Sequence, residues 1–112
     1  MIHSRVKKVI LLLLLILFSF GNYAQIDSGK RATKITKKMT KVLSLNKEEK
    51  TRVYDIQLNR FQQIASVREK YKNDSQTRKS ELKKVYRKLF GILKNAFGED
   101  KMQSWKNYKQ NL

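Results

Sequence analysis

Cysteine and proline are absent from this 112-residue chain, and glycine occurs only four times. Without cysteine there are no disulfides, no thiolate metal sites and no N-terminal cysteine to carry a lipid. Without proline, and with Lys, Arg, Leu, Gln and Glu plentiful, local propensity favours helix along nearly the whole length. The single histidine is His3, at the extreme N-terminus. Acids are scarce: nine Asp and Glu stand against 26 Lys and Arg, a formal net charge of +17. They are also scattered, at Asp27, Glu48, Glu49, Asp55, Glu69, Asp74, Glu81, Glu99 and Asp100. No metal site and no cofactor is expected from that set. Serines and threonines lack a histidine partner, and no glycine-rich phosphate loop exists. The adjacent acids Glu48-Glu49 and Glu99-Asp100 fall at expected helix N-termini, where the helix dipole accounts for them without acid–base catalysis. The chain reads as a protein without enzymatic activity.

Long apolar runs are likewise missing, with one exception. Arg5, Lys7 and Lys8 precede an unbroken apolar stretch from Val9 to Phe18, after which small and polar residues follow. This is the layout of a secretory signal peptide, and the run is shorter than the about 20 residues of a permanent span. Cleavage is expected after Ala24, with Ser19-Phe20-Gly21 offering a second site and a retained membrane anchor as the competing reading. The expected location is the periplasm or the exterior. Removing residues 1–24 leaves 23 basic residues against the nine acids, a net +14 on 88 residues. A chain of that size buries roughly 60–65 % of its unfolded surface, and repulsion among its cations weakens the compact monomer. A homodimer is therefore expected.

Four helices are predicted within a single domain spanning 25–112, after a flexible leader at 25–29. Ala32, Ile35, Met39, Val42 and Leu43 recur at helical spacing among lysines. The first helix stops near Ser44, because Asn46 followed by Glu49 has the spacing of a capping box. A second helix carries Val53, Ile56, Leu58, Phe61, Ile64, Ala65, Val67 and Tyr71 on a wide stripe. Asn73-Asp74-Ser75 supplies cap and turn residues, and a helical hairpin is placed there, with a continuous helix as the alternative. The third helix has the clearest pattern, from Leu82 through Val85, Tyr86, Leu89, Phe90, Ile92 and Leu93 to Phe97. Gly98 is expected to end it in the left-handed conformation, and a short last helix then buries Met102 and Trp105, with Tyr108 as a further candidate. The predicted fold is all-α: antiparallel helices built on a hairpin and packed as an open bundle or cradle.

One motif repeats. Leu45-Asn46-Lys47-Glu48-Glu49 and Phe97-Gly98-Glu99-Asp100-Lys101 share an apolar anchor, a cap and a charged first turn, about fifty residues apart. Any two helix starts share some of these traits. Set behind a signal peptide and on either side of a long helical pair, the two boxes make the chain resemble the Spy/CpxP family of small periplasmic proteins, marked by a twice-occurring Leu-Thr-x-x-Gln box. Asn46 stands for the threonine and Glu49 for the glutamine in the first box. The second keeps neither, although Trp105 and its neighbours are similar to the helix that follows in relatives. The resemblance covers most of residues 30–110. It implies an α-helical cradle, often dimeric, acting without ATP as an envelope-stress chaperone. The metal-responsive members of that family use mostly histidines and carboxylates, whereas this chain has no histidine after His3 and its acids are scattered.

The cations are the feature in excess. Part of them forms an ordinary solvated face, but 23 against nine acids build a potential able to steer acidic partners over long distances. Arg52, Tyr54, Leu58 and Arg60 on the second helix, with Lys83, Arg87, Phe90 and Lys94 on the third, are the candidate polypeptide-binding residues. There apolar contacts would be bordered by positive charge, unless core or dimer packing takes the aromatics. Leu45, Asn46, Glu49, Phe97, Gly98 and Trp105 are the candidate structural motif. The expected partners are unfolded or acidic polypeptides. The alternative is a basic protein that associates with anionic lipid, polysaccharide or DNA, and a third is a subunit docking on an acidic sensor domain. Sequence-specific nucleic-acid recognition is not expected, because no DNA-binding motif is present.

Overall fold

The computed structural model of the chain describes residues 27–112. Helices account for nearly all of them: α1 over 27–43, α2 over Lys47–Lys70, α3 over Ser75–Phe97 and α4 over Glu99–Gln110. The fold is all-α, and no strand occurs among the described residues. The signal segment expected over 1–24, together with Gln25 and Ile26 of the expected leader, lies outside the described residues. The rest of that leader is a correction. Residues 27–29 are helical and Ser28 is 2 % exposed. The reason lies in α1's inner stripe, where Ser28, Ala32, Thr36, Met39 and Leu43 follow one another at three- or four-residue steps and are all buried.

The turn after α1 is set by hydrogen bonding. Ser44 adopts a left-handed φ of 52°, and the Leu45 N–H donates to the Thr40 carbonyl at 3.1 Å. This is the six-to-one closure of a Schellman motif, with serine where glycine is usual. Asn46 then caps α2. Its side-chain oxygen accepts the Glu49 N–H at 2.9 Å, while the Glu49 carboxylate accepts the Asn46 N–H at 3.1 Å, forming the reciprocal capping box. Leu45, just before the cap, is buried in the core, while Lys50, the fourth residue of α2, is exposed.

The helix breaks at Asn73-Asp74-Ser75. Asp74 caps α3 by accepting the Thr77 N–H at 3.1 Å, and Arg78 donates to the Lys72 carbonyl at 2.9 Å to brace the connection. α2 and α3 pack along one another. Gln63, Ser66 and Val67 share one groove with Glu81, Lys84 and Val85, and Ile56 and Asn59 share the next with Lys88 and Ile92. Gly98 ends α3 at a positive φ, as expected, but not in the left-handed helical region: φ 88° with ψ 167° is an extended conformation essentially restricted to glycine. That conformation lets α4 begin at once.

Both boxes feed one core. Met39, Leu43, Leu45, Val53, Leu89, Leu93, Met102 and Trp105 form the buried cluster, and Phe97 and Tyr108 pack against it. The anchors of the two boxes, Leu45 and Phe97, thus belong to the same core. The third helix departs from its sequence pattern. Of its apolar residues only Leu89 and Leu93 are buried, while Tyr86, Phe90 and Ile92 remain 51, 40 and 40 % exposed.

Candidate functional site

The uncovered part of α3 faces two features, a cleft toward α4 and a rim of positive charge. Tyr86 and Phe90 lie one helical turn apart on α3, and Met102, Trp105 and Lys109 lie at comparable steps on α4, so two apolar stripes meet at an angle set by Gly98. Between them is a cleft of about 350 Å³ whose lining also includes Arg87 and Lys106. A smaller chamber of about 90 Å³ shares Tyr86, Phe90, Met102, Trp105 and Lys109 with it, and adds Leu89, Leu93, Ile35 and Arg60. No acidic residue lines either space.

Two cations of these spaces, Lys109 and Arg60, are held by aromatic rings and neutral oxygens. Lys109 Nζ sits 5.6 Å from the Tyr86 ring centroid and 5.9 Å from that of Trp105, and donates to the Tyr86 hydroxyl at 3.3 Å. Trp105 in turn stacks on Tyr108 at 5.4 Å. Arg60 lies 4.7 Å from the Phe61 ring centroid, with Arg31 at 5.0 Å from the same ring. Arg60 donates to the Gln57 side-chain oxygen at 3.1 Å, and the fully buried Gln57 donates onward to Met39 Sδ at 3.4 Å. Burial lowers the Arg60 pKa from its ordinary value, the nearby Tyr86 opposes that shift, and Arg31 adds to it. A half-buried guanidinium without a carboxylate is an unusual thing for a fold to keep, since its charge has lost water and gained no counter-ion.

Ion pairs are few. Among the described residues Lys84 pairs with Glu81, Lys94 with Glu99 and Lys101 with Glu49. Every acid of the chain lies within the described residues, so the other 20 of its 23 cations there have no carboxylate partner. The Lys101–Glu49 contact, at 2.7 Å, joins the two boxes across 52 positions. Glu49 therefore does two tasks: one oxygen caps Asn46 and the other takes Lys101. The Lys101 ammonium, and after it the Asn46 N–H, holds the Glu49 carboxyl below its ordinary pKa.

The eight candidate binding residues do not form one surface. Arg60, Arg87 and Phe90 converge on the α3–α4 cleft. Tyr54 lies elsewhere, in a groove of about 620 Å³ between α1 and α2 with Lys30, Lys34, Lys37 and Lys38. Lys94 is engaged with Glu99, Arg52 is exposed near Glu49, and Lys83 is exposed on α3. Leu58 is half-buried and lines neither space. Of the candidate structural residues, Leu45 and Trp105 are buried, Phe97 packs on the core, and Asn46, Glu49 and Gly98 form the helix starts. Tyr86, Met102, Lys106 and Lys109 belong to the cleft and were not singled out as binding residues from the sequence. Their signal was the shared turn-by-turn spacing of aromatic and basic residues on α3 and α4.

Among the described residues there is no group of three or more His, Cys, Asp or Glu placed to hold a metal ion, and no helix is long and apolar enough to cross a membrane. Comparison with curated proteins and with solved structures gave no match. A family model does match, over residues 22–112, and its description is a domain of unknown function, DUF4890. With both helix-start boxes, all four helices and the cleft inside the matched stretch, the chain belongs to the DUF4890 family.

Proposed function

We propose that this chain is a non-enzymatic envelope-stress protein that holds unfolded polypeptides without ATP, in the manner implied by its resemblance to the Spy/CpxP family. The observation that carries the reading is on α3. Three large apolar side chains, Tyr86, Phe90 and Ile92, stay 40–51 % exposed on a helix whose Lys83, Arg87 and Lys88 are also exposed. Apolar area of that kind holds an unfolded segment weakly, while unpaired cations speed its capture over a distance set by ionic strength. α2 and α3 serve as an antiparallel hairpin in this reading, and a second copy of the chain completes the cradle.

Export through the N-terminal segment is part of the proposal. The family match begins at residue 22, so the basic and apolar leader stands almost wholly outside it, as an address segment would. The test is direct. The protein, purified as the cell leaves it and mixed at equal molar ratio with a reduced or heat-unfolded client, should slow aggregation at low salt. No change in the light-scattering trace would end the holdase reading.

A second reading rests on a different place. The α1–α2 groove brings Lys30, Lys34, Lys37 and Lys38 to one side of Tyr54 without an acid in its lining, an arrangement suited to anionic lipid head groups, acidic polysaccharide or DNA. It calls for sedimentation with anionic vesicles and with DNA at two salt concentrations. Absence of pelleting at low salt would exclude it.

A further inference from the structure

The α3–α4 cleft shares Tyr86, Phe90 and Arg87 with the α3 face proposed above to hold polypeptides, but its interior differs from that outer face in one physical respect. Its walls are side chains of two helices whose backbone groups are already hydrogen-bonded within α3 and α4, so a peptide laid inside would lose water from its own N–H and C=O groups and find no partners. A hydrocarbon chain has no such need. The volume, about 350 Å³, lies at the low end of the roughly 300–1,000 Å³ range of small-molecule sites, enough for one chain of medium length.

The adjoining chamber of about 90 Å³ adds polar groups to this space. The Tyr86 hydroxyl accepts from Lys109 Nζ at 3.3 Å, and Arg60 lines the adjoining chamber beside the same tyrosine. An ammonium, a guanidinium and a phenol therefore line one chamber, and none of them has a carboxylate partner. Lys109 is held there by two aromatic faces, a weaker partner than an anion brought out of water. Phe90, Met102 and Trp105 supply the apolar walls.

We propose that the cleft binds a single-chain anionic amphiphile, with its acyl chain between Phe90, Met102 and Trp105 and its anionic head at Arg60, Tyr86 and Lys109. The ligand class is a fatty acid or a single-chain phospholipid, which share one chain and one negative head. This goes beyond polypeptide holding: it shares Tyr86 and Phe90 with the proposed holding face but does not rest on that reading.

Trp105 is the only tryptophan of the chain and forms one wall of the cleft, so its fluorescence reports occupancy. The protein, purified as the cell leaves it, is titrated with 11-bromoundecanoate below its aggregation threshold, alongside a brominated lysophosphatidylglycerol. Saturable one-to-one quenching is expected, and whichever probe acts at lower concentration names the source of the ligand. In competition, dodecanoate should displace the probe at a concentration about tenfold or more below octanoate, as burial of four further methylenes requires. The Lys109→Gln variant, altered at an exposed position, should weaken binding about tenfold, and Lys109→Gln with Arg60→Gln further, circular dichroism confirming retained helix. Lys37→Gln with Lys38→Gln, in the other groove, should leave it unchanged. Equal weakening by both pairs would reduce the effect to net charge and overturn the proposal. So would equal quenching by a cationic amphiphile of the same length, or displacement by an acidic, apolar hexapeptide at the concentration that dodecanoate needs. Aggregation of a client is measured separately, so either reading can fail alone.

Discussion

Replacing Ser44 with glycine tests the turn that joins the first helix to the capping box. Ser44 sits at φ 52°, the one non-glycine residue with positive φ among the described residues. For an L-residue this conformation costs roughly 1–2 kcal/mol through the approach of Cβ to the following carbonyl. Glycine removes that term but gains freedom in the unfolded chain, worth about 0.4–1 kcal/mol in the other direction. The net expectation for Ser44→Gly is a stabilisation of about 0.5–1 kcal/mol. In a domain of this size that raises the melting temperature by roughly 2–8 °C. No side-chain hydrogen bond of Ser44 exists among the described residues to offset it, and the Leu45 N–H bond to Thr40 at 3.1 Å is kept. Ser44→Val, β-branched at a positive φ, should destabilise, so the series Gly, Ser, Val is ordered. Urea unfolding followed by circular dichroism reads the order, with an unchanged slope against denaturant showing that both end states are intact. A Ser44→Gly variant less stable than the parent would refute the assignment of strain to this turn.

Three further outcomes follow from the same structure. Gly91 lies exposed in the middle of α3 with nothing within 4 Å of a Cβ added there, so Gly91→Ala should stabilise by about 0.5–1 kcal/mol in the same assay. Thr36 is 3 % exposed and its hydroxyl finds no hydrogen-bond partner among the described residues; Thr36→Val, which keeps the shape, should be neutral or stabilising by about 1 kcal/mol. Glu49 has its pKa lowered on folding by Lys101 and the Asn46 N–H, so its contribution is complete above its ordinary value of 4.5 and fades as pH falls through the lower folded value. The urea midpoint of the parent should therefore drop more between pH 6 and pH 3 than that of Glu49→Gln; parallel curves would remove the box-to-box ion pair from the account.

What was legible in the sequence divides along the distance over which each feature acts. The capping box at Asn46 and Glu49, the break at Asp74 and the stop at Gly98 involve residues within three or four positions of one another, and all appear in the structure. The ψ of Gly98 was not legible, because it is set by where α4 must run rather than by glycine itself. Ser28 falls within the expected leader, yet it is 2 % exposed within α1, and burial of that degree outweighs the roughly few tenths of a kcal/mol by which serine lowers helix propensity. Gln57 was passed over for a similar reason: a polar type hid a residue 1 % exposed, whose amide is satisfied by Met39 and Arg60. Lys101 looked like a defect in the second box. Its role lies 52 positions away, on Glu49, where no local pattern reaches. The cleft was legible only as the spacing of aromatic and basic residues on each helix, because its walls come from two helices whose angle no periodicity encodes.

The positive charge and the uncovered face of α3 set opposite demands on salt, and that opposition separates folding from binding. With only three ion pairs among the described residues, repulsion among the remaining cations weakens the native state. Raising ionic strength from about 0.1 M to about 1 M shortens the screening length from about 10 Å to about 3 Å. Repulsion between neighbouring helices is then largely removed, while close contacts such as Lys101 to Glu49, at 2.7 Å, are screened less. The unfolding midpoint should therefore rise with sodium chloride. Capture of an anionic partner must fall over the same range, because it relies on the long-range part of the field. Measured on one preparation, thermal midpoint and partner binding should move in opposite directions. A joint fall would mean that the fold itself depends on its surface ion pairs, and the excess of cations would then need an explanation other than attraction to an acidic partner.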